Sequence, residues 1–143
     1  MKSLLNNVGI ETIDSNITTP ADILLAVNIA CEQTDAIISP SDNTVAVSLD
    51  LIAEIAKNKN KPFIASFESA ARQGALAGFG VDYKKQGIMS AKILADILVK
   101  KKKPSEFGMV YPKIERLVIN KTTLTSLNLV VPDVLKNKAT FID

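Results

Sequence analysis

Residues 35–56, DAIISPSDNTVAVSLDLIAEIA, hold three patterns in series that few fold classes accommodate together. Ala36-Ile37-Ile38 is a short apolar run, dominated by β-branched residues and followed at once by turn residues, which predicts a buried strand. Ser39-Pro40-Ser41-Asp42-Asn43 punctuates rather than packs. Val45, Leu49, Ile52 and Ala56 then recur at helical spacing, which predicts one amphipathic helix turned toward a sheet. Strand, polar loop and helix in that order form the repeating unit of α/β folds. The loop at the carboxyl end of such a strand borders the crevice where open α/β sheets bind ligands.

The same rhythm extends to both sides. Asn7 to Ile13 alternates enough to predict a strand, with Val8, Ile10 and Ile13 apolar. Thr19 caps a predicted helix with Pro20 in its first position and Asp22 in its first turn. Ile23, Val27 and Ala30 form its inward stripe. Past the polar turn 58–61, Pro62 to Ser66 is the next strand. Strands joined by crossover helices imply parallel pairing and right-handed connections.

After Ser66 the rhythm changes. Residues 67–74 read as a polar connection of about one helical turn stopped by Gly74. Residues 75–81, ALAGFGV, form a strand thinned by Gly78 and Gly80, where a ligand or another backbone comes close. A long helix follows from Tyr83 to Lys100, with Ile88, Ala91, Leu94 or Ala95, and Leu98 expected on its buried side. Met109–Tyr111 and Glu115–Asn120 are short strand candidates, and 121–127 and 132–136 short helices. The expected architecture is α/β, a three-layer sandwich with a mostly parallel sheet.

With 143 residues the chain is about one domain long. A net charge of +2 is too small to imply nucleic acid, and the basic run Lys100–Lys103 follows a predicted helix, where cations complement the dipole. There is no histidine, which removes Ser-His-Asp and Cys-His catalysis and disfavours zinc. The one cysteine, Cys31, has no partner for a disulfide and sits among apolar neighbours as a small buried side chain. No glycine pattern forms a phosphate cradle. No cofactor and no catalytic residue is expected. The amino terminus lacks the apolar core of an export signal, and no run reaches membrane-spanning length.

Three polar clusters fall beyond strand ends: Ser39 to Thr44, Ser66 to Ser69, and Asp82-Tyr83. Parallel strands bring the first two to one rim. A zwitterion such as an amino acid suits that rim, its ammonium meeting Asp42 or Glu68 while hydroxyls and N–H groups hold its carboxylate. Each cluster also has an ordinary explanation. Ser41, Asp42 or Asn43 serves as a helix cap, Glu68 as a solvated loop carboxylate, and Asp82 as another helix start.

The runs TDAIISPSDNTVAVSLDLIAEIAKNKNKPFIASFES, RQGALAGFGVDYKKQGIMSAKILADIL and ERLVINKTTLTSLNLVVPDVL resemble the carboxyl-terminal half of ABC-transporter substrate-binding proteins of the tryptophan/tyrosine type. The most specific blocks are Ser41-Asp42-Asn43-Thr44-Val45, Gly74-Ala75-Leu76-Ala77 and Gly80-Val81-Asp82-Tyr83. The resemblance implies a type I periplasmic-binding fold, here incomplete. Residues 1–66 would form the main part of the second lobe, 67–103 a segment of the first, and 104–143 the return to the second. It also implies ligand contacts from Ser41, Asp42, Asn43 and Thr44, and from Phe67 and Glu68 near the hinge. Phe67 stands where the family pattern leads one to expect an acidic or small polar residue. Family members begin with an export signal or lipid anchor and a complete first lobe, and the resemblance implies a chain that stands without them. Weak or absent binding by the isolated chain is therefore expected, together with packing of 67–103 either back on the sheet or onto a second copy as an exchanged homodimer.

The function so implied is solute capture for an ABC uptake transporter, with an amino acid as ligand, an ABC permease as partner of the full-length protein, and a periplasmic or cell-surface location. The alternative is the effector-sensing domain of a LacI-like transcription regulator, which shares the fold. A small α/β enzyme or nucleotide binder ranks last.

Overall fold

The computed structural model describes residues 2–110 and 115–143. In chain order the main elements are α1 (Lys2–Asn6), α2 (Ile23–Gln33), β1 (Ile37–Ser39), α3 (Asn43–Ala46), α4 (Leu49–Asn58), β2 (Phe63–Ala65), β3 (Ala77–Val81), α5 (Tyr83–Leu98), β4 (Glu115–Asn120), α6 (Lys121–Ser126), α7 (Asp133–Lys136) and β5 (Ala139–Ile142). The five described strands form one sheet in the order β1-β2-β3-β4-β5. β1 and β2 are parallel, as expected; β3 is parallel to β2, and β5 to β4. β3 and β4 run antiparallel. The protein is thus an α/β fold on a mostly parallel sheet.

The core follows from the apolar spacing. Ile23, Val27 and Cys31 on α2 meet Leu49, Ile52 and Ala56 on α4, and both helices lie over Phe63 and Ala65 on one face of the sheet. The α2 start matches its forecast: the Asp22 carboxylate accepts from the Thr19 N–H at 2.7 Å and its hydroxyl at 3.0 Å, ahead of a short 3-10 turn at Pro20–Asp22. The opposite face has thinner cover, with Ile64, Ala77 and Ile119 meeting Leu124 of α6 and Val131.

Several expectations are corrected. Residues 7–13 form no strand. The chain turns at Gly9, with φ +78, and Val8, Ile10 and Ile13 stay exposed because no described strand lies beside them. The single helix expected over 44–56 is two helices, because the chain breaks at Val47 and restarts with Ser48 in the capping position of α4. All four stripe residues are buried nonetheless. The forecast buried side of α5 is exposed: the helix has no buried residue, and Ile88, Leu94 and Leu98 all face solvent. Met109 and Val110 are not in a strand, and Tyr111 lies outside the described residues. β5 had no forecast.

The glycine-thinned strand behaves as expected. A side chain on Gly78 would collide with the carbonyls of Phe67 and Glu68, and one on Gly80 would press on the Ser66 carbonyl. Another backbone, the turn after β2, is what comes close. That turn is a 3-10 helix over Glu68–Gln73, closed by Gly74 in the left-handed conformation at φ +95.

Candidate functional site

β1 and β2 end side by side, and the rim at their carboxyl ends carries the two main polar clusters. Ser39 pairs with Ala65, and the Ser66 N–H donates to the Ser39 carbonyl at 3.0 Å, so 39–44 and 66–68 leave the sheet as neighbours. Asp42 is the cap of α3. Its Oδ1 accepts from the Thr44 N–H at 2.8 Å and the Val45 N–H at 3.2 Å, which leaves Oδ2 uncommitted. Ser41, Asp42 and Asn43 are exposed and Thr44 is half-buried, so this turn is open to a solute.

The second cluster is already partnered. Glu68 Oε1 accepts from Arg116 Nη1 at 2.9 Å, and both side chains are largely covered. Arg116 lies on β4 opposite Gly80 of β3, and it reaches this rim only because β4 runs antiparallel to β3. Sequence reasoning missed it, since a lone arginine at a strand start carries no sign of strand direction. Phe67 packs half-buried against the main core, so its ring is part of the fold's interior wall.

Asp82 ends β3 on the same side. Its Oδ1 accepts from the Lys85 N–H at 3.0 Å as the cap of α5. That hydrogen bond holds its carboxyl below the usual carboxylate range; its partial burial opposes this, and the charges of Lys85 and Arg116 add to it. Asp42, Glu68, Asp82 and Arg116 thus give the rim three carboxylates and one guanidinium. Among the described residues no cluster of His, Cys, Asp or Glu is arranged to hold a metal ion. Cys31 is buried on α2, and burial raises its thiol pKa, as suits an inert core position.

A cavity of about 310 Å³ opens beside β1, toward α2 and residues 13–17. Of the six expected ligand residues only Asp42 lines it; Ser41, Asn43, Thr44, Phe67 and Glu68 lie outside its wall.

With this geometry, residues 1–142 match the family described as ABC transporter substrate binding protein. The chain belongs to that family. A curated tyrosine-binding protein of Clostridioides difficile (strain R20291) is 26% identical over 119 residues, a span that takes in 83% of this chain and 34% of the relative. A solved conserved domain protein from Vibrio cholerae superposes with a TM-score of 0.84 at 29% identity, over 99% of this chain and 48% of that one. The ABC domain from Streptococcus pneumoniae, solved in complex with L-Trp, gives the same TM-score at 22% identity and 49% of its length, which speaks for the fold alone. The chain therefore spans between a third and a half of these relatives. The type I binding-protein fold expected from the sequence is the one these neighbours share.

Proposed function

We propose that this substrate-binding family chain contributes one wall of an amino-acid site, with the rim at the ends of β1 and β2 as the contact surface. The observation that carries this reading is the Ser66 to Ser39 hydrogen bond, which sets the Ser41–Thr44 turn and the Phe67–Glu68 corner next to one another. Asp42, with one carboxylate oxygen uncommitted, suits a ligand ammonium group. The Ser41 and Thr44 hydroxyls and the Asn43 amide suit its carboxylate. Glu68, neutralised by Arg116, serves better to brace the corner than to receive a cation.

The division of the chain fits the same reading. Residues 1–66 and 104–143 would supply one lobe; of the expected crossing segment 67–103, the part up to Val81 stays with that lobe, because β3 pairs with both β2 and β4, and α5 is the part that would reach the other. α5 supports this, since it has no buried residue and Ile88, Leu94 and Leu98 stay exposed. In the complete protein, closure of two lobes traps the solute, and the closed form docks on a permease at the outer side of the membrane. Among the described residues no helix is long and apolar enough to cross a membrane. The family role is solute capture without chemical conversion.

NMR titration of the chain with L-tyrosine, L-tryptophan and L-leucine tests the site, because it reads weak affinity. Selective shifts at 41–44 and 66–68, lost in Asp42→Ala, are expected. No shift with L-tryptophan or L-leucine up to about 10 mM, where even a very weak site fills, and none with L-tyrosine at saturation, or shifts confined to α5, overturns the assignment.

A further inference from the structure

The cavity of about 310 Å³ beside β1 has core side chains in its wall, Val27, Ile52 and Phe63, each no more than 5% exposed. Ile17 and Ile37, half-buried, line it too. This volume stands at the small end of pockets that take organic molecules and above that of apolar cavities that take up benzene. With such walls, the body of any occupant must be apolar.

One polar atom of this wall has nothing to bind. Ser39 lines the cavity and is only 6% exposed, and its hydroxyl is buried without a hydrogen-bond partner. The Ser39 carbonyl, by contrast, accepts from the Ser66 N–H. The other polar side chains of the wall are provided for: the Thr34 hydroxyl is bonded to the Ala30 carbonyl at 2.8 Å, and Ser15, Asn16 and Asp42 are exposed to water. A buried hydroxyl without a partner carries the cost of its lost hydration, which one matching group returns. Water matches poorly, because it needs two or more polar partners and the apolar side chains beside it offer none. The Asp42 carboxylate, with one oxygen uncommitted, repels anions from the same cavity.

We propose that this cavity binds a compact neutral molecule with an apolar body and one hydroxyl group, a small alcohol or phenol. The body would cover Val27, Ile52 and Phe63. The hydroxyl would exchange a hydrogen bond with Ser39, whose Oγ both donates and accepts. Ser39 is not among the rim residues assigned to an amino acid, and a neutral occupant needs no ion pair with Asp42. Failure of amino-acid binding at the rim therefore leaves this inference untouched.

NMR titration of the isotope-labelled chain with p-cresol tests the proposal, beside toluene, which lacks the hydroxyl, and 4-methylbenzoate, which carries a charge in its place. p-Cresol is expected to shift Ile17, Val27, Ile37 and Ser39, and 4-methylbenzoate to leave them unmoved. Ser39→Ala removes only the orphan oxygen. It should weaken p-cresol about fivefold, the effect of one hydrogen bond, and leave toluene unchanged. Ala30→Leu places a good helix former where α2 lines the cavity, fills the space and should remove binding of both. If that variant unfolds, Ser39→Ala still decides. No shift with p-cresol up to about 10 mM, equal binding of 4-methylbenzoate, or a Ser39→Ala variant that weakens neither ligand or both alike overturns the inference.

Discussion

The Glu68 carboxylate and the Arg116 guanidinium meet at 2.9 Å across 48 residues of sequence. This ion pair ties the turn after β2 to the first half of β4, two places along the sheet. It does so over β3, whose Gly78 and Gly80 let the turn lie directly on the strand. Three segments distant in sequence converge at that point, and the stability of the candidate site depends on how closely they approach.

Gly78→Ala is expected to destabilise the protein by about 3 kcal/mol, the upper range for forcing an atom into packed structure. The added carbon would sit 2.8 Å from the Glu68 carbonyl and nearer still to that of Phe67. Gly80→Ala meets its nearest atoms at 3.1 and 3.2 Å and should cost less. Gly87→Ala, in α5 with open space around it, should instead add about 0.5–1 kcal/mol through helix propensity. Urea denaturation of the three variants checks the order; equal midpoints would show that the turn does not rest on β3.

Asn120→Ala should lower stability by about 2 kcal/mol, because it strands two buried groups at once. The Asn120 side chain donates to the Ala71 carbonyl at 2.9 Å and accepts from the Thr123 N–H at 2.8 Å, joining the 3-10 turn to the start of α6. The urea midpoint reads the loss, and a change within error would mean that water replaces both bonds.

Asp82 gives a pH dependence of definite sign. Its folded pKa lies below the ordinary 3.8, chiefly through the Lys85 N–H. The stabilisation is therefore complete above the unfolded value and is lost as pH falls through the lower, folded one. Asp82→Asn keeps an oxygen for the cap but cannot titrate. Its stability should be lower than wild type at neutral pH and should decline less on acidification below pH about 4. Thermal melts across that range check it, and parallel acid limbs in the two proteins would contradict it.

Local pattern was enough to locate most elements and one rim. Ile23, Val27, Leu49, Ile52 and Ala56 are buried where helical spacing put them, Thr19 and Gly74 punctuate their helices, and the glycines of β3 face a neighbouring backbone. These features depend on residues within a turn or two of each other, so chain order carries them. The antiparallel direction of β4, the arrival of Arg116 at Glu68, the exposure of Ile88, Leu94 and Leu98 on α5 and the absence of a strand over residues 7–13 could be decided only in three dimensions. An apolar stripe or an alternating run states that a segment has a face to bury. Whether it does so depends on a partner surface that the segment's own sequence does not contain.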